Sequence, residues 1–206
     1  MPGFTGLADR SVITLTGPDR VSFLDRLITN SVPTSGLAYA ALLTPQGRVL
    51  TDLFLQPEAD RLLIDCDAGI TDELLSLLQR YRLRSAVTLT DDSTTYAAFA
   101  FDHPFEGAFP DPRLPQLGWR AILPRSRLAD TDLADITDSY ELQRLQLGIP
   151  RGLRDMPSQW ALALECNLDH LHGINFSKGC FPGQELTTRM RTRKLLRRRL
   201  LPVEMA

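Results

Sequence analysis

Tyr39-Ala40-Ala41-Leu42-Leu43-Thr44-Pro45-Gln46-Gly47-Arg48-Val49-Leu50-Thr51-Asp52-Leu53-Phe54-Leu55 sets two apolar runs on either side of a short break. In Thr44-Pro45-Gln46-Gly47, proline takes the second position and glycine the fourth, as a type I turn prefers. The two runs are therefore expected to fold back as an antiparallel hairpin. Working outward, strands are expected over 11–16, 61–66, 83–90, 95–101 and 118–123. Helices are expected over 19–30 (Val21, Leu24 and Ile28 on one face), from Thr71 (Leu74, Leu75, Leu78, Tyr81) and over 135–147 (Leu142, Leu145, Ile149). The four prolines between Asp102 and Pro115 predict an exposed connection. Strands and helices do not alternate steadily and the hairpin demands antiparallel pairing, so the class is α+β: mixed, largely antiparallel sheets with packed helices. Neither a Gly-x-Gly-x-x-Gly nor a Walker pattern follows any strand.

With 206 residues, 43% of them apolar and 23% charged, the chain can bury a substantial core. No apolar run approaches the ~20 residues of a membrane helix, and Met1-Pro2-Gly3-Phe4 lacks the opening of a signal peptide, which makes the cytosol the expected compartment. Three cysteines, Cys66, Cys166 and Cys180, are an odd count and argue for reduced thiols. The net charge of −2 conceals seven basic residues and no acid between Arg189 and Arg199. Such a run suits a solvated face; RNA binding through it is the alternative, weakened by the absence of interleaved aromatic residues.

The chemistry concentrates in Lys178-Gly179-Cys180-Phe181-Pro182-Gly183-Gln184-Glu185. Cysteine reacts as its thiolate, which a cation two residues away would favour, and flanking glycines would bend the backbone and leave the sulfur approachable. A glycine-rich turn around a small buried thiol is the alternative reading. Gln184 and Glu185 are expected to open a helix whose N–H groups add positive potential, with dipole compensation as the alternative role for Glu185. Cys166, His170, His172 and Cys180 match no standard zinc spacing, so no metal site is expected.

The eight-residue stretch resembles the Lys-Gly-Cys-aromatic-x-Gly-Gln-Glu signature of YgfZ-type folate-binding proteins, relatives of the glycine-cleavage aminomethyltransferase, or T-protein. Tyr140-Glu141-Leu142-Gln143-Arg144-Leu145-Gln146-Leu147-Gly148-Ile149-Pro150 is similar to the Tyr-Glu-x-x-Arg-x-x-x-Gly-Ile-Pro helix of the same family. Gly17-Pro18-Asp19, Phe23-Leu24, Thr29-Asn30 and Leu43 to Gly47 also look like its N-terminal region. The resemblance implies a tetrahydrofolate-binding body and a role in maintaining or assembling iron–sulfur clusters, with radical-SAM and aconitase-type enzymes or cluster-assembly proteins as partners. It carries over Lys178 and Cys180 as the functional pair, and Gln184, Glu185, Tyr140 and Arg144 as residues shaping the folate site. A folate-dependent aminomethyl transferase is the alternative, in which a folate-binding carboxylate, Asp52 or Asp65, would position the folate nitrogen for attack, although in true aminomethyltransferases the matching stretch resembles Asp-aromatic-x-Gly-Arg-Glu and has no thiol.

The expected organisation is a discontinuous folate-binding-type domain from 1–35 and 91–195, an inserted α+β subdomain at 36–90, and at 196–206 the start of a C-terminal β domain that is absent or truncated. Two departures from the family pattern stand out. Pro182 replaces a small residue and stiffens the turn. The chain stops at Ala206, leaving Leu200, Leu201 and Val203 as apolar residues that favour self-association.

Overall fold

The computed structural model describes residues 2–128 and 131–203. Ten strands and five helices follow in the order β1 (Gly3–Gly6), β2 (Arg10–Thr16), α1 (Arg20–Asp25), β3 (Ala38–Leu43), β4 (Val49–Pro57), β5 (Arg61–Asp67), α2 (Thr71–Arg82), β6 (Thr88–Asp91) and β7 (Tyr96–Phe101). β8 (Phe109–Pro110), β9 (Trp119–Pro124), β10 (Ala134–Asp135), α3 (Thr137–Gln146), α4 (Gly152–Asp155) and α5 (Gln184–Thr192) complete them. They form two five-stranded sheets, ordered β3-β4-β5-β2-β6 and β10-β1-β7-β9-β8. Every pairing is antiparallel except the short one between β1 and β10. The α+β class and the antiparallel bias are thus as the hairpin implied, and that hairpin is β3–β4, closed by Gly47 N–H donating to Thr44 O at 2.8 Å.

Side-chain parity along the strands explains the layering. In the first sheet, Ile13, Leu15, Ala40, Leu42, Leu53, Leu55, Leu62 and Ile64 point one way and bury against α1 and α2 through Phe23, Leu24, Leu74 and Leu78. The alternate residues point toward the second sheet. There, Val12 and Leu63 meet Tyr96 and Ile122, while Tyr39, Ala41, Leu43 and Phe54 meet Ala98 and Ala100. Gln56 bridges the sheets, its amide donating to Ile122 O and accepting from Ile122 N–H at 3.0 and 2.9 Å. From Gly148 onward the chain lays Ile149, Met156, Ala163, Leu164, Leu168, Leu171, Ile174, Phe181 and Met190 onto the same inter-sheet core.

Four local expectations differ from what forms. The helix expected over 19–30 stops at Asp25, because Thr29 is drawn into pairing with Ala41 and the carbonyls of Asp25, Ile28 and Asn30 are taken by a distant ammonium. The strand expected over 83–90 shortens to Thr88–Asp91: Leu83 takes a positive φ of 46° and Ala86 N–H turns back to the Asp19 carboxylate. In α3 the buried residues are Tyr140 and Arg144, while Leu142 and Leu145 are exposed. Arg199–Val203 adopts no strand; Leu200 is held by N–H donation to Glu165 O and by accepting from the Asn167 amide. The last three residues of the expected 196–206 unit lie outside the described residues.

Candidate functional site

The residues singled out in the sequence fall into two groups. Asp52, Tyr140 and Arg144 line a cavity between the sheets together with Arg10, Phe54, Arg113 and Arg120, whereas Lys178, Cys180, Gln184 and Glu185 belong to a surface loop and the start of α5.

The cavity is an ionic layer inside an apolar sandwich. Arg10 donates from one terminal nitrogen to Asp52 Oδ1 at 2.7 Å and from Nε to Asp65 Oδ1 at 2.5 Å; Arg120 reaches Asp65 Oδ2 at 2.5 Å. Arg113 makes a bidentate pair with Asp111 and donates to the Tyr140 hydroxyl at 3.1 Å. The guanidinium carbons of Arg120, Arg113 and Arg10 stand 3.7, 4.9 and 5.5 Å from the Phe54 ring centre, so three cations surround one π-face system. Burial works against the charge on Arg10, but Asp52 and Asp65 more than offset it and hold its pKa well above the usual range. Burial raises and Arg113 lowers the Asp111 carboxyl, and Arg113 prevails. Burial, joined by the Asp52 charge, pushes the Tyr39 phenol well above its ordinary value.

Asp65, the second carboxylate weighed for the transferase alternative, joins Asp52 here, whereas Arg10, Asp111, Arg113 and Arg120 were not singled out beforehand. A signal existed: Asp65 and Arg120 each interrupt an apolar strand at an inward-facing position, where an ordinary core strand keeps only apolar residues. Arg144 is bound on three sides, to Glu141, to Ile149 O at 3.1 Å and to Asp155 at 2.8 Å, and Arg151 joins Glu141 to Asp9. These contacts tie α3 and α4 to the chain's beginning.

This constellation has the donors and acceptors that a folate would use, a carboxylate for a pterin and guanidiniums for glutamate carboxylates. Its room does not match. The cavity measures about 20 Å³, enough for roughly one water, whereas pockets for ligands of that size run to hundreds of Å³. The Asp52 carboxylate is also already engaged, by Arg10 and, at 3.4 Å, by the Tyr39 hydroxyl. As arranged, these residues do not fit tetrahydrofolate.

The surface group is built differently. Cys180 is exposed, whereas Cys66 and Cys166 are buried, and burial pushes their thiols up to about 12 and about 11. Lys178 does not turn toward the sulfur. Its ammonium donates to the carbonyls of Asp25, Ile28 and Asn30 at 2.5, 3.1 and 2.7 Å and lies 3.5 Å from the Asp25 carboxylate. Burial draws the Lys178 pKa down, and the Asp25 carboxylate works against that. Phe181 is buried in the inter-sheet core and sits with its ring centre 5.9 Å from the Lys178 nitrogen. Gly183 takes a φ of 78° just before α5 and packs on the hairpin turn. Gln184 is half-buried and Glu185 exposed at the start of α5, whose buried face is Thr187 and Met190. Of the basic run, Arg198 and Arg199 pair with Glu165 and Asp169, and Arg191 stacks on Phe176 at 3.9 Å. Among the described residues, no three His, Cys, Asp or Glu side chains converge as metal ligands.

No protein-family model matches the chain. Similar curated proteins are the iron-sulfur cluster assembly factor IBA57 homolog, mitochondrial, of Mycosarcoma maydis and the mitochondrial IBA57 of Mus musculus. The first is 34% identical over 221 aligned positions, covering 94% of this chain and 55% of that protein. The second is 34% identical over 239, covering 97% and 65%. The chain thus spans between half and two thirds of the length of the relatives it matches. Each is named as mitochondrial, which overturns the expectation of a cytosolic location drawn from the N-terminal residues. In fold, the chain is similar to the glycine cleavage system aminomethyltransferase T from Bartonella henselae, with a TM-score of 0.72 at 17% identity over 93% of this chain and 63% of that one. Signature residues, relatives and fold agree: the chain is a YgfZ-type relative of the aminomethyltransferase T-protein family.

Proposed function

We propose that this chain acts in the assembly of iron–sulfur clusters, with Cys180 as its working thiol. The observation that carries the reading is the exposure of Cys180 between two anchored neighbours, Lys178 and Phe181, while the other two cysteines are buried. The names of the IBA57 relatives support the process, and partners are accordingly cluster-assembly proteins or cluster enzymes. The test is complementation of a strain lacking the corresponding factor: Cys180→Ala is expected to fold normally and to fail to restore cluster-dependent enzyme activity. Full restoration by that variant would remove the thiol from the mechanism.

Tetrahydrofolate enters this reading only through the resemblance, and no step is routed through it. Calorimetric titration with tetrahydrofolate is expected to show no binding to the closed cavity. Saturable binding that disappears in Asp52→Asn would instead mean that the sheets part to admit it. The aminomethyl-transferase alternative needs Asp52 free to position a folate nitrogen, and its ion pair with Arg10 counts against that. Leu142, Leu145, Leu201 and Val203 are exposed along one groove, which supports self-association; sedimentation in which Leu145→Glu turns an oligomer into a monomer is the corresponding measurement.

A further inference from the structure

We propose that Lys178 is a positioning residue: it fastens the loop displaying Cys180 to the end of α1 and does not act on the sulfur. The inference rests on reading Cys180 as the working thiol.

An ammonium has three N–H donors and no more. All three of Lys178 are directed at carbonyls of the last residue of α1 and of the segment that follows it, and its side chain is 4% exposed. None remains for a neighbouring thiolate, and the Asp25 carboxylate offsets the charge. The Asp25 carbonyl sits at the end of a helix, which leaves it without an intrahelical partner, and those of Ile28 and Asn30 follow in the turn beyond, so a cation there satisfies all three acceptors.

The same two segments are stitched by further bonds. Thr29 Oγ1 donates to Gly173 O at 2.6 Å, the Asn30 amide donates to His172 O at 2.8 Å, and Asn175 N–H donates to Thr29 O at 3.0 Å. The Asn175 side chain donates to Ser31 Oγ at 3.0 Å. On the other side of the cysteine, Phe181 is locked in the core and Gly183 rests on the β3–β4 turn. Only Gly179 and Cys180 project between these two anchors. A thiol on a two-residue span fixed at both ends has little conformational entropy left to lose when a partner engages it. A lysine near a cysteine reads from sequence as a thiolate activator; here the geometry gives it a mechanical task.

The experiment compares wild type, Lys178→Met and Lys178→Arg in three readouts: the pH–rate profile of Cys180 alkylation by iodoacetamide, amide exchange over 173–178, where the Gly173, Asn175 and Ser177 N–H groups are hydrogen-bonded, and restoration of cluster enzymes in the deficient strain. In Lys178→Met the alkylation profile should superimpose on wild type. Exchange over 173–178 should rise at least about tenfold, and restoration should fall several-fold. Lys178→Arg, which still offers N–H donors to the carbonyls, should recover most of the protection. A profile displaced by about one pH unit or more in Lys178→Met, or unchanged exchange in that variant, would overturn the proposal. Where Lys178→Met does not fold, Ser31→Ala decides, since it cuts the seam bond from Asn175 and leaves the ammonium and the loop's own bonds in place. Faster exchange with reduced restoration supports positioning, and faster exchange with full restoration overturns it. If Cys180→Ala itself restores the clusters, the working-thiol reading fails separately, while exchange and alkylation still judge where Lys178 acts.

Discussion

Gly179 and Gly183 flank the same cysteine and are glycine for opposite reasons. A Cβ on Gly183 would lie 2.6 Å from Thr44 O and 2.8 Å from Gly47 Cα, at a φ of 78° that other residues rarely adopt; a Cβ on Gly179 would meet nothing within 4 Å. Gly183→Ala should therefore cost on the order of 3 kcal/mol, and Gly179→Ala less than about 0.5 kcal/mol, both read from denaturant midpoints. The thiols separate just as sharply. At pH 8 a maleimide should label one cysteine, Cys180, in the folded chain and all three after denaturation, as counted by mass spectrometry. The buried thiols also set an alkaline limit. Cys66, pushed up to about 12 from 9.0, stays protonated in the fold after it ionises in the unfolded chain, so its contribution is lost as pH rises through that window. Between pH 8 and 11 the midpoint of Cys66→Ala should fall less than that of wild type.

At the scale of elements, α3 shows how a helix can bury the face that looks polar. Its sequence offers Leu142 and Leu145 as an apolar stripe, yet both are about half exposed at 57% and 52%, while Arg144 is 2% exposed. The arginine can be inside because Glu141, Asp155 and the Ile149 carbonyl satisfy its donors. Emptying the space of a fully buried side chain and leaving the Ile149 carbonyl unpaired, with Glu141 held by Arg151 alone, Arg144→Ala should destabilise by about 2–4 kcal/mol, whereas Leu142→Ser should stay within about 0.5 kcal/mol. Thermal and denaturant unfolding of the two variants checks the contrast. A long-range effect also trims α1. Its apolar spacing ran on to Ile28, but pairing of Thr29 with β3 and capture by Lys178 end the helix at Asp25. Neither partner lies near enough in the chain to be read from local periodicity.

For the molecule as a whole, the decisive feature is the charged layer between the sheets. Asp65 receives two guanidiniums, so Asp65→Ala strands Arg120, leaves Arg10 with Asp52 alone, and should cost about 3–5 kcal/mol; replacement by asparagine, which keeps the acceptor, should cost less. Acid should dismantle the fold through the same kind of group. Burial raises the carboxyls of Asp9, Asp111, Glu141 and Asp169, but their arginine partners hold them below their ordinary values. The stability they supply is complete above about pH 5 and is lost as pH falls through about 4 and below. Melting temperatures measured from pH 7 to pH 3 should be flat at first and then drop.

The chain alone determined the hairpin, most strands, the α+β class and the family, because turn chemistry, strand parity and an eight-residue signature are local properties of the sequence. It also marked Lys178 and Cys180 as belonging together. Tertiary structure decided what that neighbourhood means: an ammonium chooses among all oxygens within reach, and those of Asp25, Ile28 and Asn30 come from about 150 positions away. It likewise decided that Asp52 pairs with Arg10, which also holds Asp65, rather than lining an open pocket, since the facing of two sheets depends on contacts far apart in sequence that no local pattern encodes.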